Sequence, residues 1–264
     1  MTELVIVGGG KMGEALLAGL LRAKWAEPSA VAVVEPVAER RRQLAAIYPG
    51  VEVRAEPGEA SGAVIAVKPA DVPAAARGIA GAGSRRVLSI AAGVGTRAIE
   101  EHFPAGTPVV RAMPNTPALV GAGASAIALG TSASADDAAW AKSILEAVGV
   151  VVTVPEAQLD AVTGLSGSGP AYVFLVAEAM IDAGERAGLP REIAETLAKQ
   201  TLLGASRLMV ETGTPPAELR AAVTSPNGTT VAGLAVLDDR DVRGAFVAAV
   251  EAATARSREL GASR

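Results

Sequence analysis

The sequence predicts an α/β domain with a doubly wound, parallel sheet, followed by an all-helical domain. Three observations predict it. From residue 1 to about 154, short and nearly all-apolar runs alternate with amphipathic stretches, the pattern of strands covered on both faces by crossover helices. Past residue 155 the strand signal stops and only helical periodicities follow. Glycine makes up 29 of 264 residues, above the ~7% usual in proteins, so sites built from backbone are to be expected.

The strands read as Leu4–Val7, Ala30–Val34, Val51–Arg54, Ala63–Val67, Arg86–Ile90, Val109–Ala112, Ala124–Leu129 and Val150–Val154. Each is a short run of β-branched or small apolar residues bounded by Gly, Pro or charge. Between them, Lys11–Ala23, Val37–Ile47, Ala70–Ile79 and Asp136–Val148 repeat their apolar residues at helical spacing. The second half shows helices at Leu159–Leu165, Ala171–Ala187, Arg191–Thr212, Pro216–Val223, Thr229–Leu237 and Asp241–Leu260. These observations divide the chain into domains 1–154 and 155–264. The helical half is apolar for a free-standing unit, which points to burial in an oligomer.

Composition excludes several kinds of chemistry. There is no cysteine, one histidine (His102) and only seven aromatics, three Phe, two Trp and two Tyr. No disulfide, thiolate nucleophile or cysteine-bound metal is available, and no metal site is expected. Whatever the chain catalyses is expected to come from a cofactor. With 24 basic against 28 acidic residues it lacks the basic stripe of a nucleic-acid binder. The run Glu39-Arg40-Arg41-Arg42 reads as a solvated helix face. No positively charged leader is visible, and the longest charge-free stretch, Ala112 to Ala135, is broken by Pro114 and Pro117. The expectation is a cytoplasmic protein that does not enter a membrane.

The first strand runs into Gly8-Gly9-Gly10-Lys11-Met12-Gly13 and directly on into a helix. In that context G-x-G-x-x-G has a physical meaning: Gly8 for the tight turn, Gly10 for close approach of a pyrophosphate, Gly13 for helix–strand packing. The helix N-terminus supplies unpaired N–H groups for the anion. This is the Rossmann-type dinucleotide loop. Glu35 closes the second strand about 20 residues on, where an acidic side chain receives the ribose hydroxyls. A carboxylate there repels a 2′-phosphate and favours NAD(H), whereas Arg40 to Arg42 stand close enough to favour NADP(H). Two later strand ends also fit a cofactor crevice, Ala66-Val67-Lys68-Pro69 and Ala91-Ala92-Gly93. Lys68 either lies beside a phosphate or ribose or is a solvated strand-end charge.

In the helical half, Ser225-Pro226-Asn227-Gly228 is a turn that leads Thr229 and Thr230 into a helix. Exposed N–H groups and hydroxyls there can hold a small carboxylate, and the same residues also make an ordinary threonine cap.

That turn, together with Arg111-Ala112-Met113-Pro114-Asn115-Thr116-Pro117, Leu165-Ser166-Gly167-Ser168-Gly169-Pro170-Ala171-Tyr172 and Ala66–Pro69, resembles the pyrroline-5-carboxylate reductases in order and spacing. The likeness runs from Leu4 to Leu260. It implies NAD(P)H-dependent reduction of the cyclic imine of 1-pyrroline-5-carboxylate to L-proline, the last step of proline biosynthesis. It implies that Val7 to Met12, Ala66 to Pro69 and Ala92 touch the cofactor, NADP(H) or NAD(H). It places the substrate carboxylate on Ser225 to Thr230, with the amides of Gly228, Thr229 and Thr230 as donors and the Thr230 hydroxyl beside the ring nitrogen. Glu156 falls where some relatives touch substrate. The likeness also implies a homodimer through the helical domain, in some relatives a ring of dimers, with an active site that borrows from the second subunit.

Three positions depart from the family pattern: Glu35 where NADP-using relatives carry a small polar residue, Ala222 for an asparagine, and Asn227 for a glycine. The rival readings are a hydroxyacid dehydrogenase of similar layout and a non-catalytic NAD(P)-binding regulator. The first would need an acid such as Lys199 in the helical domain, since no histidine follows His102. The second would be expected to lose the Ser225–Thr230 turn.

Overall fold

The computed structural model describes residues 2–262. Eight strands form one sheet: β1 (Leu4–Val7), β2 (Val31–Val34), β3 (Glu52–Arg54), β4 (Gly62–Ile65), β5 (Val87–Ser89), β6 (Val109–Met113), β7 (Gly123–Leu129) and β8 (Gly149–Thr153). Their spatial order is β3-β2-β1-β4-β5-β6-β7-β8. Chain order reverses at β1, so a crevice opens beyond the carboxyl ends of β1 and β4, where such sheets bind ligands.

Alternate residues of the strands enter two separate cores, as the period of two requires. Leu4, Ile6, Val31, Val33, Val64 and Leu88 pack with α1 (Lys11–Arg22), α2 (Ala38–Ile47) and α5 (Ala135–Glu146). Val5, Val7, Ala32, Ala63, Ile65 and Val87 pack with α3 (Val72–Gly81) and α4 (Thr96–Glu100). Ser134 begins α5 with a reciprocal capping box to Asp137.

The sheet is parallel, as expected, except at one edge. β1 to β6 are parallel, but β7 runs antiparallel to β6, and β8 is parallel to β7. The link from β6 to β7 contains a single 3₁₀ turn, Thr116–Val120. That is shorter than the dozen or more residues a parallel crossover needs, so the chain turns back.

The chain divides into two compact units, residues 1–168 with 251–264, and residues 169–250. The division read from the sequence at residue 155 falls inside the first of these units. In the structure α6 (Leu159–Val162) places Leu159, fully buried, against Ala126 and Ala128 of β7. Ser257, near the end of the chain, donates to Asp160 at 2.6 Å. Between α6 and the second unit lies a single π-helical turn, Thr163–Gly167.

The second unit holds α7 (Gly169–Arg186), α8 (Arg191–Thr212), α9 (Pro216–Ala222), α10 (Thr229–Asp239) and the first turns of α11 (Val242–Ala262). Its buried apolar cluster is small, Ile181, Ala194 and Ala198 between α7 and α8. Phe174, Leu175, Leu197, Leu203, Val236 and Val247 are each more than half exposed in the single chain. Among the described residues no helix is long and apolar enough to cross a membrane.

Candidate active site

The glycine loop joins β1 to α1. Gly8 takes φ +113°, and a Cβ there would strike the Ala66 carbonyl. Its N–H donates to the Val34 carbonyl at 2.8 Å, which ties the loop to β2. A Cβ on Gly13 would fall on the Gly8 carbonyl oxygen, so helix and strand approach as closely as backbone allows. Gly10 differs, because a Cβ there would meet nothing within 4 Å. It is the N-cap of α1 and caps it with no side chain. Open space over uncapped helix N–H groups is what a pyrophosphate needs, and the loop fits a dinucleotide on that ground. Lys11 opens the helix exposed, while Met12 turns into the first core.

Glu35 is buried at the end of β2. One carboxylate oxygen accepts from Gly9 N–H at 3.1 Å and the other from Val37 N–H at 2.9 Å. The carboxylate therefore braces both the glycine loop and the β2–α2 turn. Beyond β4, Ala66 and Val67 are half-buried and Lys68 is exposed. The Ala66 N–H donates to the Val7 carbonyl at 2.8 Å, so the β1 and β4 ends meet side by side.

Pro69 and Ala92 with Gly93 border a cavity of about 280 Å³ that Thr163, Ser168 and Ser257 also line. None of these three hydroxyl residues was expected at a site, although Ser168 belongs to a segment that carries the resemblance. The signal was present for Ser168, inside a Gly-Ser-Gly run next to the π turn; Thr163 and Ser257 look like ordinary helix residues. A π turn is an uncommon local structure that concentrates at functional sites.

In the second unit the Ser225–Thr230 segment is a turn followed by α10. Asn227 sits at φ +60°, a conformation asparagine tolerates better than most residues. A Cβ on Gly228 would come within 2.6 Å of the Ser225 Oγ. The expectation that three amides are free needs adjustment, since the Gly228 N–H already donates to the Ser225 carbonyl at 3.0 Å. Thr229 and Thr230, exposed in the first turn of α10, have N–H groups without a partner among the described residues.

Over residues 156–260 the sequence matches the family described as pyrroline-5-carboxylate reductase dimerisation, and over 3–93 the one described as NADP oxidoreductase, coenzyme F420-dependent. The pyrroline-5-carboxylate reductase of Synechocystis sp. is 48% identical, with 98% of each chain covered. The chain belongs to the pyrroline-5-carboxylate reductase family. The reductase of Corynebacterium melassecola is 42% identical over 99% of each chain. Among solved structures, that of the Coxiella burnetii pyrroline-5-carboxylate reductase is 35% identical with a TM-score of 0.93, covering 98% of each chain. The NADP-bound Plasmodium falciparum pyrroline carboxylate reductase is 28% identical with a TM-score of 0.83 and the same coverage. A family with a dimerisation domain explains the apolar surface of the second unit, which a homodimer covers.

Within this pyrroline-5-carboxylate reductase family member, two of the recognised segments serve as internal architecture. Asn115, buried, donates to the Ser166 carbonyl at 3.1 Å and accepts from Ala124 N–H at 2.9 Å. It pins the π turn to β7.

Glu156, expected at the substrate, is held inside the first unit. Its carboxylate accepts from Thr96 N–H and Oγ1, both at 2.7 Å, and from Arg111 Nη1 at 3.1 Å. Burial pushes its pKa up, but these donors outweigh burial and hold the carboxyl below its ordinary value. Glu156 thus caps α4 across 60 residues and neutralises an arginine that is 9% exposed. Thr96 was not singled out in the sequence, and Arg111 entered only as the first residue of a segment carrying the resemblance, with no role given to it. Lys199 pairs with Glu195 one helical turn away, and His102 lies in the first unit, by a separate cavity with Pro69 and Gly95.

Proposed function

We propose that the protein reduces the cyclic imine of 1-pyrroline-5-carboxylate to L-proline with NAD(P)H, in the cytoplasm, as the last step of proline biosynthesis. The observation that carries this reading is the 48% identity to a reductase of that name over 98% of both chains. When bound, the reduced nicotinamide supplies the hydride. Gly10 leaves the α1 N-terminus open to the pyrophosphate, and Gly8, Gly9 and Gly13 set the tight turn and close packing that present it. Val7 and Met12 seat the loop on the cores beside exposed Lys11. Ala66, Val67, Lys68, Pro69 and Ala92 border the crevice beyond β4 and β5. Glu35, by receiving a ribose hydroxyl, favours NADH.

The substrate carboxylate is held on the Ser225–Thr230 turn. Thr229 and Thr230 supply free N–H donors, and Gly228 keeps the approach clear of side chain. The Thr230 hydroxyl orients the ring nitrogen. Fixing two planar groups face to face is worth several kcal/mol, up to roughly 7–11 in rigid model reactions. The protein works as a homodimer whose active site borrows from the second subunit, with rings of dimers as the higher assembly.

The test is oxidation of NADH or NADPH, followed by loss of absorbance of the reduced nicotinamide, with 1-pyrroline-5-carboxylate. Wild-type protein should turn over, faster with NADH at low cofactor. Thr230→Ala should lower kcat by about tenfold to a hundredfold and Thr230→Ser should restore most of it. Unchanged kcat with only a raised KM would remove Thr230 from the chemistry.

A further inference from the structure

Arg40, Arg41 and Arg42 follow β2 and Arg54 ends β3, and their pairing bears on which dinucleotide fits. Arg42 pairs with Glu39 on the exposed face of α2. Arg54 Nη1 pairs with Glu52 at 3.2 Å, while its Nε and Nη2 are covered and without a partner, against the Gly58 backbone. Arg41 Nη1 donates to the carbonyls of Glu35 and Pro36, both at 2.8 Å.

Arg40 is held hardest. Its Nε donates to the Gly9 carbonyl at 2.9 Å, one Nη reaches Gln43 at 3.4 Å, and the other is bound by the Glu14 carboxylate. Glu14 in turn accepts from the Tyr48 hydroxyl at 3.2 Å. Both polar groups of Gly9 are therefore taken by side chains from the β2–α2 side: its N–H by Glu35 and its carbonyl by Arg40.

We propose that Glu14 is a specificity-determining residue: by holding Arg40 on the Gly9 carbonyl it withholds that cation from the ribose 2′ position, so that the site takes NADH in preference to NADPH. The inference rests on the reading of Glu35 as the ribose acceptor. A 2′-phosphate brings close to two negative charges. Arginine is the side chain that accommodates it in related folds, by a planar fork of donors. Here the Arg40 fork is spent on a carboxylate and a carbonyl. Of the other arginines, Arg42 and Arg54 each meet a carboxylate through one terminal nitrogen and Arg41 gives Nη1 to two carbonyls, so none has its charge held beside the glycine loop as Arg40 has. The carboxylate nearest the ribose position, Glu35, has only backbone N–H donors. A hydroxyl can donate to it; a phosphate cannot.

The experiment measures equilibrium binding of NADH and NADPH to the substrate-free homodimer, by fluorescence of the reduced nicotinamide. It compares wild type, Glu14→Ala, Glu14→Ala/Arg40→Ala and Arg41→Ala. Wild type should bind NADH more tightly. Glu14→Ala should tighten NADPH by about tenfold, the worth of one new charge-assisted contact, and leave NADH within about threefold. The double variant should lose that gain, because Arg40 is the group released. A Glu14→Ala protein whose NADPH-to-NADH ratio stays that of an NADH-preferring parent overturns the role of Glu14 alone. A gain that survives in the double variant does the same. A wild type that prefers NADPH, with the preference lost in Arg41→Ala, overturns the Glu35 reading and this one together.

Discussion

The two units spend their apolar residues in opposite ways. In the first, Leu4, Ile6, Leu16, Leu20, Leu88, Ile99, Ile127 and Ile144 are fully buried, and two cores face a sheet that is complete within one chain. In the second, three buried residues make the whole cluster and most large apolar side chains meet water. The glycines repeat the contrast. In the first unit a Cβ on Gly8, Gly13, Gly19, Gly62 or Gly149 would strike backbone or core side chains outside its own helix, strand or loop. In the second, Gly228 and Gly244 would meet only a residue three positions away, and Gly169, Gly204, Gly213 and Gly233 nothing within 4 Å. One unit is closed by its own residues; the other is half of a structure that a second copy completes.

The strongest way to break the comparison is to spoil the uncovered face. Phe174 is 62% exposed on α7. Phe174→Glu should weaken the homodimer by about 4 kcal/mol, because a charge would be buried against apolar surface. Sedimentation should then find monomer where the parent is dimeric, while dinucleotide binding to the first unit persists. A dimer of unchanged strength would mean that this face is not the one covered.

Gly13→Ala tests the closed unit instead. The added methyl lands on the Gly8 carbonyl with no soft side chain to move, which should cost the first unit about 3 kcal/mol and abolish dinucleotide binding. Denaturant unfolding should show the loss, with the dimer intact in native buffer. A full-strength dinucleotide complex would deny the loop its close packing.

Glu156→Ala asks whether residues 155–168 belong to the closed unit. Removing it leaves Arg111 unpaired and α4 uncapped, a loss of about 2 kcal/mol, reduced because Glu156 is partly open to water. The carboxyl is held below its ordinary value in the folded chain. Its contribution is therefore complete above the unfolded carboxyl's pKa, about 4.3, and is lost as pH falls through the lower folded value. The gap in urea midpoint between parent and Glu156→Ala should be widest near neutral pH and shrink below about pH 4. A gap independent of pH would mean that the packing of Glu156, not its charge, matters.

Much of this was legible in the residues and some of it was not. All eight strands lie within a residue or two of their expected places, because Val- and Ile-rich runs between Gly and Pro have one good use in such a chain. α8 coincides with its expected span, Arg191–Thr212, bounded by Pro190 and Gly213. α4 went unseen because five residues are too few to show a period. The reversal at β7 was hidden in loop length, which a list of strands does not weigh. The engagement of Glu156 by Thr96 and Arg111 and the arrest of Arg40 by Glu14 depend on partners 60, 45 and 26 residues away, and no local pattern carries that information. The glycine loop was readable because its whole chemistry lies in consecutive residues.

The smallest effect probes the open unit where it has no visible reason for its sequence. Gly204 lies mid-way along α8, exposed, with nothing in its own chain within reach of a Cβ. Glycine there costs about 1 kcal/mol of helix stability relative to alanine. In an isolated helix Gly204→Ala should be a gain of that size. If the missing neighbour is the second copy, the methyl should instead weaken the dimer by about 1 kcal/mol, roughly fivefold in its dissociation constant. The expected outcome is the loss, read as a concentration dependence of thermal unfolding steeper than the parent's. A gain in stability with an unchanged dimer would place Gly204 on water and confine the covered face to the side of the unit that carries Phe174.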